Sequence, residues 1–140
     1  MQDMTQVAAA LLAGLAFGAN AFLSFVLAPM VFRVLEGPAA SAFLRALFPR
    51  YYAFTAAVGA GLLLATVLAG TGWSAAAALT LLAAASLALV PRINAARDAG
   101  EAAAARFRRL HGASVVLNLG MLAASGWLVV LFSRGWSGTA

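Results

Sequence analysis

The sequence contains no cysteine and few charged residues, and both absences exclude whole classes of function. Without cysteine, the 140-residue chain has no disulfide, no thiolate metal ligand and no thiol nucleophile. Only 9% of its residues are charged, whereas 64% are hydrophobic, and the mean hydropathy is +0.96. A soluble domain of this size would have too little polar side chain to cover its surface. The composition therefore predicts an integral membrane protein.

Three long segments carry no charge at all, at residues 4–32, 51–91 and 110–133. Each exceeds the roughly 20 apolar residues that cross a hydrocarbon core about 30 Å thick. The middle segment would extend roughly 60 Å as one helix, which is about twice that thickness. Gly70-Thr71-Gly72 lies at its centre and supplies a tight turn. The pattern predicts one all-α membrane domain, an antiparallel up-down bundle of four transmembrane helices at about 7–32, 51–69, 73–90 and 110–132.

Eight of the nine arginines lie in the two segments 33–50 and 91–109, which we interpret as loops. Because positively charged loops stay in the cytoplasm, we expect both termini outside, in a multi-pass protein of the bacterial inner membrane. The first helix has no basic residues before it, so it is interpreted as a span and not as a cleaved signal peptide. Trp73 and Trp136 fall at the predicted outer boundary, where membrane proteins place aromatic residues.

The two arginine-rich segments also carry helix-breaking signals. Gly37-Pro38 interrupts the chain after the first span, and residues 39–48 are expected to form a short interfacial helix that ends before Pro49. Asp98-Ala99-Gly100 is expected to be a turn, with a new helix beginning at Glu101. Since the basic residues flank membrane spans, the expected partners are the lipid bilayer and its anionic head groups, through Arg106, Arg108 and Arg109, and not nucleic acid.

Polar residues within the spans are few and regularly spaced. On the fourth helix they share one face with a methionine, at steps of three and four: His111, Ser114, Asn118, Met121 and Ser125. On the first helix, Asn20 and Ser24 lie one turn apart. We call Asn20, Ser24, His111, Ser114 and Asn118 the polar seam.

The arginines allow the depth of the polar seam to be estimated. Ser24 lies nine residues before Arg33, and Asn118 lies nine residues after Arg109. Both are therefore about 13 Å inside the membrane, on helices that are neighbours in an up-down bundle. We expect Asn118 to hydrogen-bond Ser24 or Asn20. Two interpretations stay open: hydrogen bonds that hold the helices together, or the polar lining of a solute path.

His111 and Pro29 are the remaining residues that stand out. His111 is the only histidine and is expected to be a hydrogen-bonded side chain near the interface. An alternative is a haem or metal ligand, because Met30 lies at a similar depth, although the chain offers no second histidine. No cofactor, metal site or catalytic residue is predicted. Pro29 removes an amide donor and is expected to kink the first helix.

Three short motifs are spread over nearly the whole chain. The first helix contains Ala28-Pro29-x-x-Phe32, Phe48-Pro49-x-Tyr51-Tyr52 follows, and the last helix opens with Leu110-His111-x-x-Ser114-x-x-Leu117-Asn118. This combination resembles the four-helix proteins related to human transmembrane protein 205, whose bacterial members are catalogued as a domain of unknown function. The resemblance implies a compact four-span protein with no established reaction, and an animal relative associated with drug tolerance and vesicle traffic. It places any family site at Pro29, His111, Ser114 and Asn118.

Three classes of function follow, and none is enzymatic. The first is transport of a small solute or resistance to it, which requires a cavity or an oligomer because four small helices enclose little room. The second is a non-catalytic subunit that organises an assembly or lipid, favoured by the lack of charge in the spans. The third is a haem- or metal-binding protein that uses His111. A second copy of the chain is a further partner that the sequence leaves open.

Overall fold

The computed structural model describes the backbone of residues 2–136 and the side chains of residues 4–134. The regular structure in this part of the chain is helical: α1 (Gln2–Phe22), a π-helical turn (Leu23–Leu27), α2 (Ala28–Val34), α3 (Gly37–Ala69), α4 (Trp73–Asp98), a 3₁₀ turn (Gly100–Ala103) and α5 (Ala104–Trp136). We call α1, the π-helical turn and α2 together the first span, because they form one continuous helical rod.

Four helical stretches are long and apolar enough to cross a membrane, which confirms the predicted all-helical, four-span architecture. The first span packs through α1 against both α3 and α5, and α4 packs against α3 and α5. Each span therefore contacts the next one in the chain, and the last contacts the first, as expected for an antiparallel up-down bundle. Which end of the bundle faces the cytoplasm remains a prediction.

The hairpin between α3 and α4 is the turn that the glycines predict. Gly70 and Gly72 adopt positive φ angles of 72° and 77°, which a residue with a Cβ rarely adopts. The amide of Thr71 donates to the carbonyl of Thr66 at 3.1 Å and closes the end of α3. Trp73 begins α4 and is exposed beside this hairpin, whereas the side chain of Trp136 lies outside the described residues.

The arginine-rich segments are more helical than the sequence predicts. The expected separate helix at 39–48 is wrong, because α3 continues from Gly37 through Pro49 to Ala69. Likewise α4 continues past Pro91 to Asp98, although the expected turn and Gly100 with its positive φ follow there. The segments 33–50 and 91–109 thus contain helical extensions of the spans, which are longer than the predicted boundaries.

Side-chain contacts join the two extensions beyond the prolines. Arg45 donates through both terminal nitrogens to the carboxylate of Asp98, and the two residues form an ion pair. The guanidinium of Arg97 donates to Ser41 Oγ at 3.2 Å. A proline removes one backbone hydrogen bond from a helix, and neighbouring groups compensate for that loss. The two extensions therefore brace each other above the membrane spans.

The opposite half of the bundle, toward the hairpin, is closed by tight packing. Its buried core contains small residues on α1, such as Ala9 and Ala13, against larger ones on the other spans, such as Leu62, Met121 and Leu128. Small residues allow membrane helices to approach each other closely.

Candidate functional site

A cavity of about 420 Å³ lies at the arginine-rich end of the bundle and is bounded by all four spans. Most of its wall is apolar, with Leu23 and Phe32 on the first span, Phe48 on α3 and Val115 on α5. Six polar, uncharged side chains also line it: Ser24, Tyr52, Asn94, His111, Ser114 and Asn118. An apolar pocket of this size with a few convergent polar groups is typical of a site for a small molecule.

The cavity lies where the first span departs from regular α-helix. The amide of Ala28 donates to the carbonyl of Leu23, five residues back, and closes the π-helical turn. Pro29 follows at the start of α2, so the carbonyl of Phe25 has no amide donor four residues on. A π-helical turn thus lies immediately before Pro29, whereas the kink expected at Pro29 stays a prediction. Turns of this kind bend helices and occur frequently at functional sites.

The irregular turn separates α2 from the last helix. Whereas α1 packs against α5, α2 packs against α3, and the described residues of α2 make no close backbone contact with α5. The first and fourth spans therefore touch over the hairpin half and diverge toward the arginine-rich end. The cavity occupies the space that this divergence leaves.

The polar seam residues Asn20, Ser24 and Asn118 join the first and fourth spans just where these begin to diverge. Asn118 Nδ2 donates to Ser24 Oγ at 2.8 Å, Ser24 Oγ donates to Asn20 Oδ1 at 3.2 Å, and Asn20 Nδ2 donates to the backbone carbonyl of Asn118 at 3.3 Å. The contact between Ser24 and Asn118 that the depth estimate predicts is present. Asn20 is buried, whereas Ser24 and Asn118 are partly exposed on the cavity side.

The backbone carbonyl of Asn118 can only accept a hydrogen bond. This fixes the direction of all three hydrogen bonds that join Asn20, Ser24 and Asn118. The Asn20 amide nitrogen must therefore face that carbonyl, which leaves Asn20 Oδ1 as acceptor for the Ser24 hydroxyl. Ser24 Oγ then has its lone pairs free to accept from Asn118 Nδ2. This ordering leaves Asn118 Oδ1 as a buried acceptor that has no hydrogen-bond donor among the described residues. Buried polar atoms without a partner are rare and need an explanation.

Ser114 and Tyr52 form a second polar contact in the cavity wall, with their hydroxyl oxygens 3.3 Å apart. The Tyr52 ring stacks on Phe48, with centroids 5.7 Å apart and planes 14° apart. The sequence reasoning assigned Ser114 to the site but missed both aromatic residues. Counting inward from Arg50 would have placed Tyr52 near the level of Ser114, since a tyrosine side chain bridges the few ångströms of remaining rise.

His111 lies at the rim of the cavity, exposed and stacked parallel to Phe107 with centroids 5.7 Å apart. Met30, the second ligand of the haem alternative, is 51% exposed and is not among the residues that line the cavity. The described side chains, of residues 4–134, bring together no group of three or more histidine, aspartate or glutamate residues able to hold a metal ion. The haem or metal alternative therefore stays a prediction.

Two further residues of the predicted polar face on α5 belong to the core. Met121 and Ser125 are fully buried, and Ser125 Oγ donates to the carbonyl of Met121 at 2.7 Å. Burial thus increases along the face from His111 at the rim to Ser125 below the cavity. At the other extreme, Arg106, Arg108 and Arg109 are exposed beyond the rim, where contact with lipid head groups stays a prediction.

Comparison with known proteins gives a family without an assigned activity. A family described as Domain of unknown function (DUF4149) matches residues 11–102. This stretch contains the first span from residue 11 onward, all of α3 and α4, and Asn20, Ser24, Pro29 and Tyr52, but it ends before α5. No curated protein and no solved structure matches the chain. The resemblance to proteins related to human transmembrane protein 205 therefore stays a prediction.

Proposed function

The chain belongs to the DUF4149 family, and we propose that it is a non-enzymatic, multi-pass membrane protein that binds a small solute in its cavity, as a step in transport or resistance. The observation that carries the proposal is the buried Asn118 Oδ1, which has no donor among the described residues and belongs to a cavity-lining side chain. The hydrogen bonds that hold the first and fourth spans together use Asn118 Nδ2 and leave Asn118 Oδ1 unused. A ligand that donates to Asn118 Oδ1 would complete the polar seam.

The shape of the bundle supports a role in moving a solute. The cavity lies in the arginine-rich half of the bundle, whereas side chains fill the hairpin half. Transporters commonly bind their substrates beside irregular helices within the membrane, and the π-helical turn at Leu23–Leu27 is a local departure from regular α-helix beside the cavity. In the proposed orientation the arginine-rich end faces the cytoplasm of a bacterial cell, and the exposed arginines contact anionic lipid head groups.

The test compares tolerance to a panel of toxic small molecules in cells that express the chain and in cells with an empty vector. We expect expression to raise tolerance to at least one compound. Asn118→Leu removes the open acceptor, so it should weaken that effect about tenfold at equal amounts of protein in the membrane. The matched control is Ser125→Ala on the same helix, because Ser125 Oγ donates only to the carbonyls of Met121 and Leu122 in that helix and does not line the cavity.

A second variant covers the case in which Asn118→Leu fails to fold. Ser114→Ala changes the cavity wall but leaves the hydrogen bonds among Asn20, Ser24 and Asn118 in place. It should reduce tolerance while the thermal unfolding midpoint of the purified protein stays near that of the wild type. The proposal is wrong if no compound distinguishes expressing cells from the empty vector, or if both cavity variants protect as well as Ser125→Ala.

A further inference from the structure

We infer that the cavity receives its ligand sideways from the lipid bilayer, between α2 and α5, and that this ligand is a neutral lipophilic molecule with a hydrogen-bond donor. The inference rests on the proposed function and names the class of solute. A long-chain alcohol, a phenol or an uncharged amide has the required chemistry. Three features of the cavity lead to this conclusion: its open side, its unpaired hydrogen-bond acceptor, and its two arginines, which are already bonded to other residues.

The open side of the cavity faces lipid. Phe25 and Phe32 line the cavity, yet 68% and 69% of their surfaces are exposed. Val115 and Leu119 line it from α5 and are 46% and 56% exposed. Residues that line a cavity and remain exposed lie at its opening, and these four are apolar residues of membrane-spanning stretches. The described residues of α2 and α5 make no close backbone contact across this opening. A molecule dissolved in the bilayer can therefore enter without crossing water.

The unpaired oxygen of a cavity-lining side chain selects a donor. Because the hydrogen bonds of Asn20, Ser24 and Asn118 run in one direction, the group left over is the oxygen Asn118 Oδ1. An oxygen of an amide accepts hydrogen bonds and cannot donate them. A hydroxyl or an amide N–H satisfies it, whereas an ether or a hydrocarbon does not. The cavity therefore distinguishes an alcohol from the corresponding ether.

The charged groups at the cavity indicate a neutral ligand. The cavity wall contains Arg45 and Arg97 and no acidic side chain, so a cation has no partner there. Arg45 is paired with Asp98. Arg97 bonds Ser41 and lies over the ring of Phe107, 5.2 Å from its centroid. Both guanidinium groups are thus engaged in bracing the helical extensions, and an anionic ligand would have to displace these contacts.

The experiment uses the full chain in lipid nanodiscs and a long-chain alcohol that carries a photoreactive diazirine on its tail. After irradiation, mass spectrometry locates the label, which we expect on residues of α2, α5 and the π-helical turn that line the cavity. Dodecanol and dodecyl methyl ether are the competitors. Dodecanol should compete at about tenfold lower concentration than the ether, because only the alcohol donates to Asn118. Asn118→Leu should remove that difference.

A matched pair of variants tests the side entrance. Val115→Trp places a large side chain at the opening and should reduce labelling several-fold. Val116→Trp adds the same side chain one residue away, at a position that is 67% exposed and does not line the cavity, and labelling should remain. Thermal unfolding in the same nanodiscs confirms that both variants are folded. Equal labelling of the two variants overturns entry from the bilayer, and equal competition by alcohol and ether overturns the requirement for a donor.

Failure of this inference is distinguishable from failure of the proposed function. In one outcome, expression raises tolerance to a water-soluble compound, Asn118→Leu abolishes that tolerance, and dodecanol and its ether compete equally. The proposed solute site is then correct, and the inference that its ligand is lipophilic is wrong. If the alcohol labels the cavity as expected but no compound distinguishes expressing cells from the empty vector, the cavity binds such ligands and the role in transport or resistance is wrong.

Discussion

Asn118 contributes to two properties of the molecule through its two side-chain atoms. Its Nδ2 atom ties α5 to the first span through Ser24, and its Oδ1 atom is left as an acceptor beside the cavity. Asn20, in contrast, is buried and uses both side-chain atoms within the polar seam. The two asparagines should therefore respond differently to substitution: Asn20 chiefly stabilises the bundle, whereas Asn118 also serves the site.

At the residue scale, Asn20→Ala should lower the free energy of unfolding by about 1–2 kcal/mol. The substitution removes one hydrogen bond between the spans, to the carbonyl of Asn118, and one within the first span, which leaves the Ser24 hydroxyl without its acceptor. Ser86→Ala is the matched control, because Ser86 is also buried but donates only to the carbonyl of Leu82 on its own helix. Reversible unfolding in mixed micelles measures both. An Asn20→Ala protein as stable as Ser86→Ala would contradict a stabilising role for the seam.

The contact between Ser24 and Asn118 could be predicted from the sequence, because the arginines mark the membrane boundary and helical rise is constant. The unused oxygen of Asn118 could not be predicted, because it depends on which way each amide faces. That choice follows from a backbone carbonyl whose position only the folded chain supplies. The position of Tyr52 in the cavity wall is not predicted from the sequence for a related reason: its hydroxyl lies at a different depth in the membrane from its own Cα.

Helix contacts in this bundle depend on specific glycines, and the structure separates those that pack from those that do not. A Cβ added to Gly59 on α3 would lie 2.7 Å from Thr80 Oγ1 and 3.2 Å from the backbone of α4. Gly14 and Gly18, which form a small-xxx-small pair in the sequence, would meet no atom within 4 Å. The sequence pattern alone does not reveal this difference, because both stretches combine glycine with alanine and leucine.

At the element scale, Gly59→Ala should destabilise the contact between α3 and α4, since the added methyl group forces the two helices apart or moves Thr80. We expect a loss of about 1–3 kcal/mol, as for other overpacked interiors. Gly14→Ala is the control and should be neutral or slightly stabilising, because alanine favours helix and nothing obstructs it. Thermal unfolding of the two proteins in the same detergent provides the measurement. Equal midpoints would mean that the close approach at Gly59 is not maintained in solution.

The prolines illustrate a limit of prediction at the same scale. Pro49 and Pro91 lie inside α3 and α4 and do not end them. Sequence rules treat proline as a breaker because it costs a backbone hydrogen bond. Here the helical extensions beyond both prolines are held by Arg45 with Asp98 and by Arg97 with Ser41. Those pairs join residues more than 50 positions apart, so a local sequence pattern does not predict them.

The whole molecule has a strong asymmetry of charge, with eight of its nine arginines toward one end and a three-residue hairpin at the other. Because the chain lacks cysteine, a single introduced cysteine is a unique label for each end. If the arginine-rich end faces the cytoplasm, Thr71→Cys in the hairpin should react with a membrane-impermeant maleimide in spheroplasts. Ala99→Cys, at the opposite end, should react only after the membrane is permeabilised. The reverse pattern of labelling would invert the proposed orientation.

The architecture could be predicted at this scale because long charge-free segments and clustered arginines determine the number and approximate position of the spans. The cavity could not be predicted in the same way. It depends on α2 leaving α5 after the π-helical turn, and apolar composition is the same on both sides of that turn. Length and hydropathy report that a helix crosses the membrane, not where it departs from its neighbour.

The π-helical turn changes which residues of the first span lie on the same face. One extra residue in a helical turn rotates everything after it by about 100° and shifts it by about 1.5 Å relative to an unbroken helix. A helical wheel drawn through all of residues 4–34 thus misassigns the faces of α2. Deleting one residue from Leu23–Leu27 would restore regular α-helix and turn Phe32 away from its present position. The opening between α2 and α5 therefore depends partly on the number of residues in the π-helical turn. A related protein with one residue fewer in this turn would have different side chains in the cavity wall.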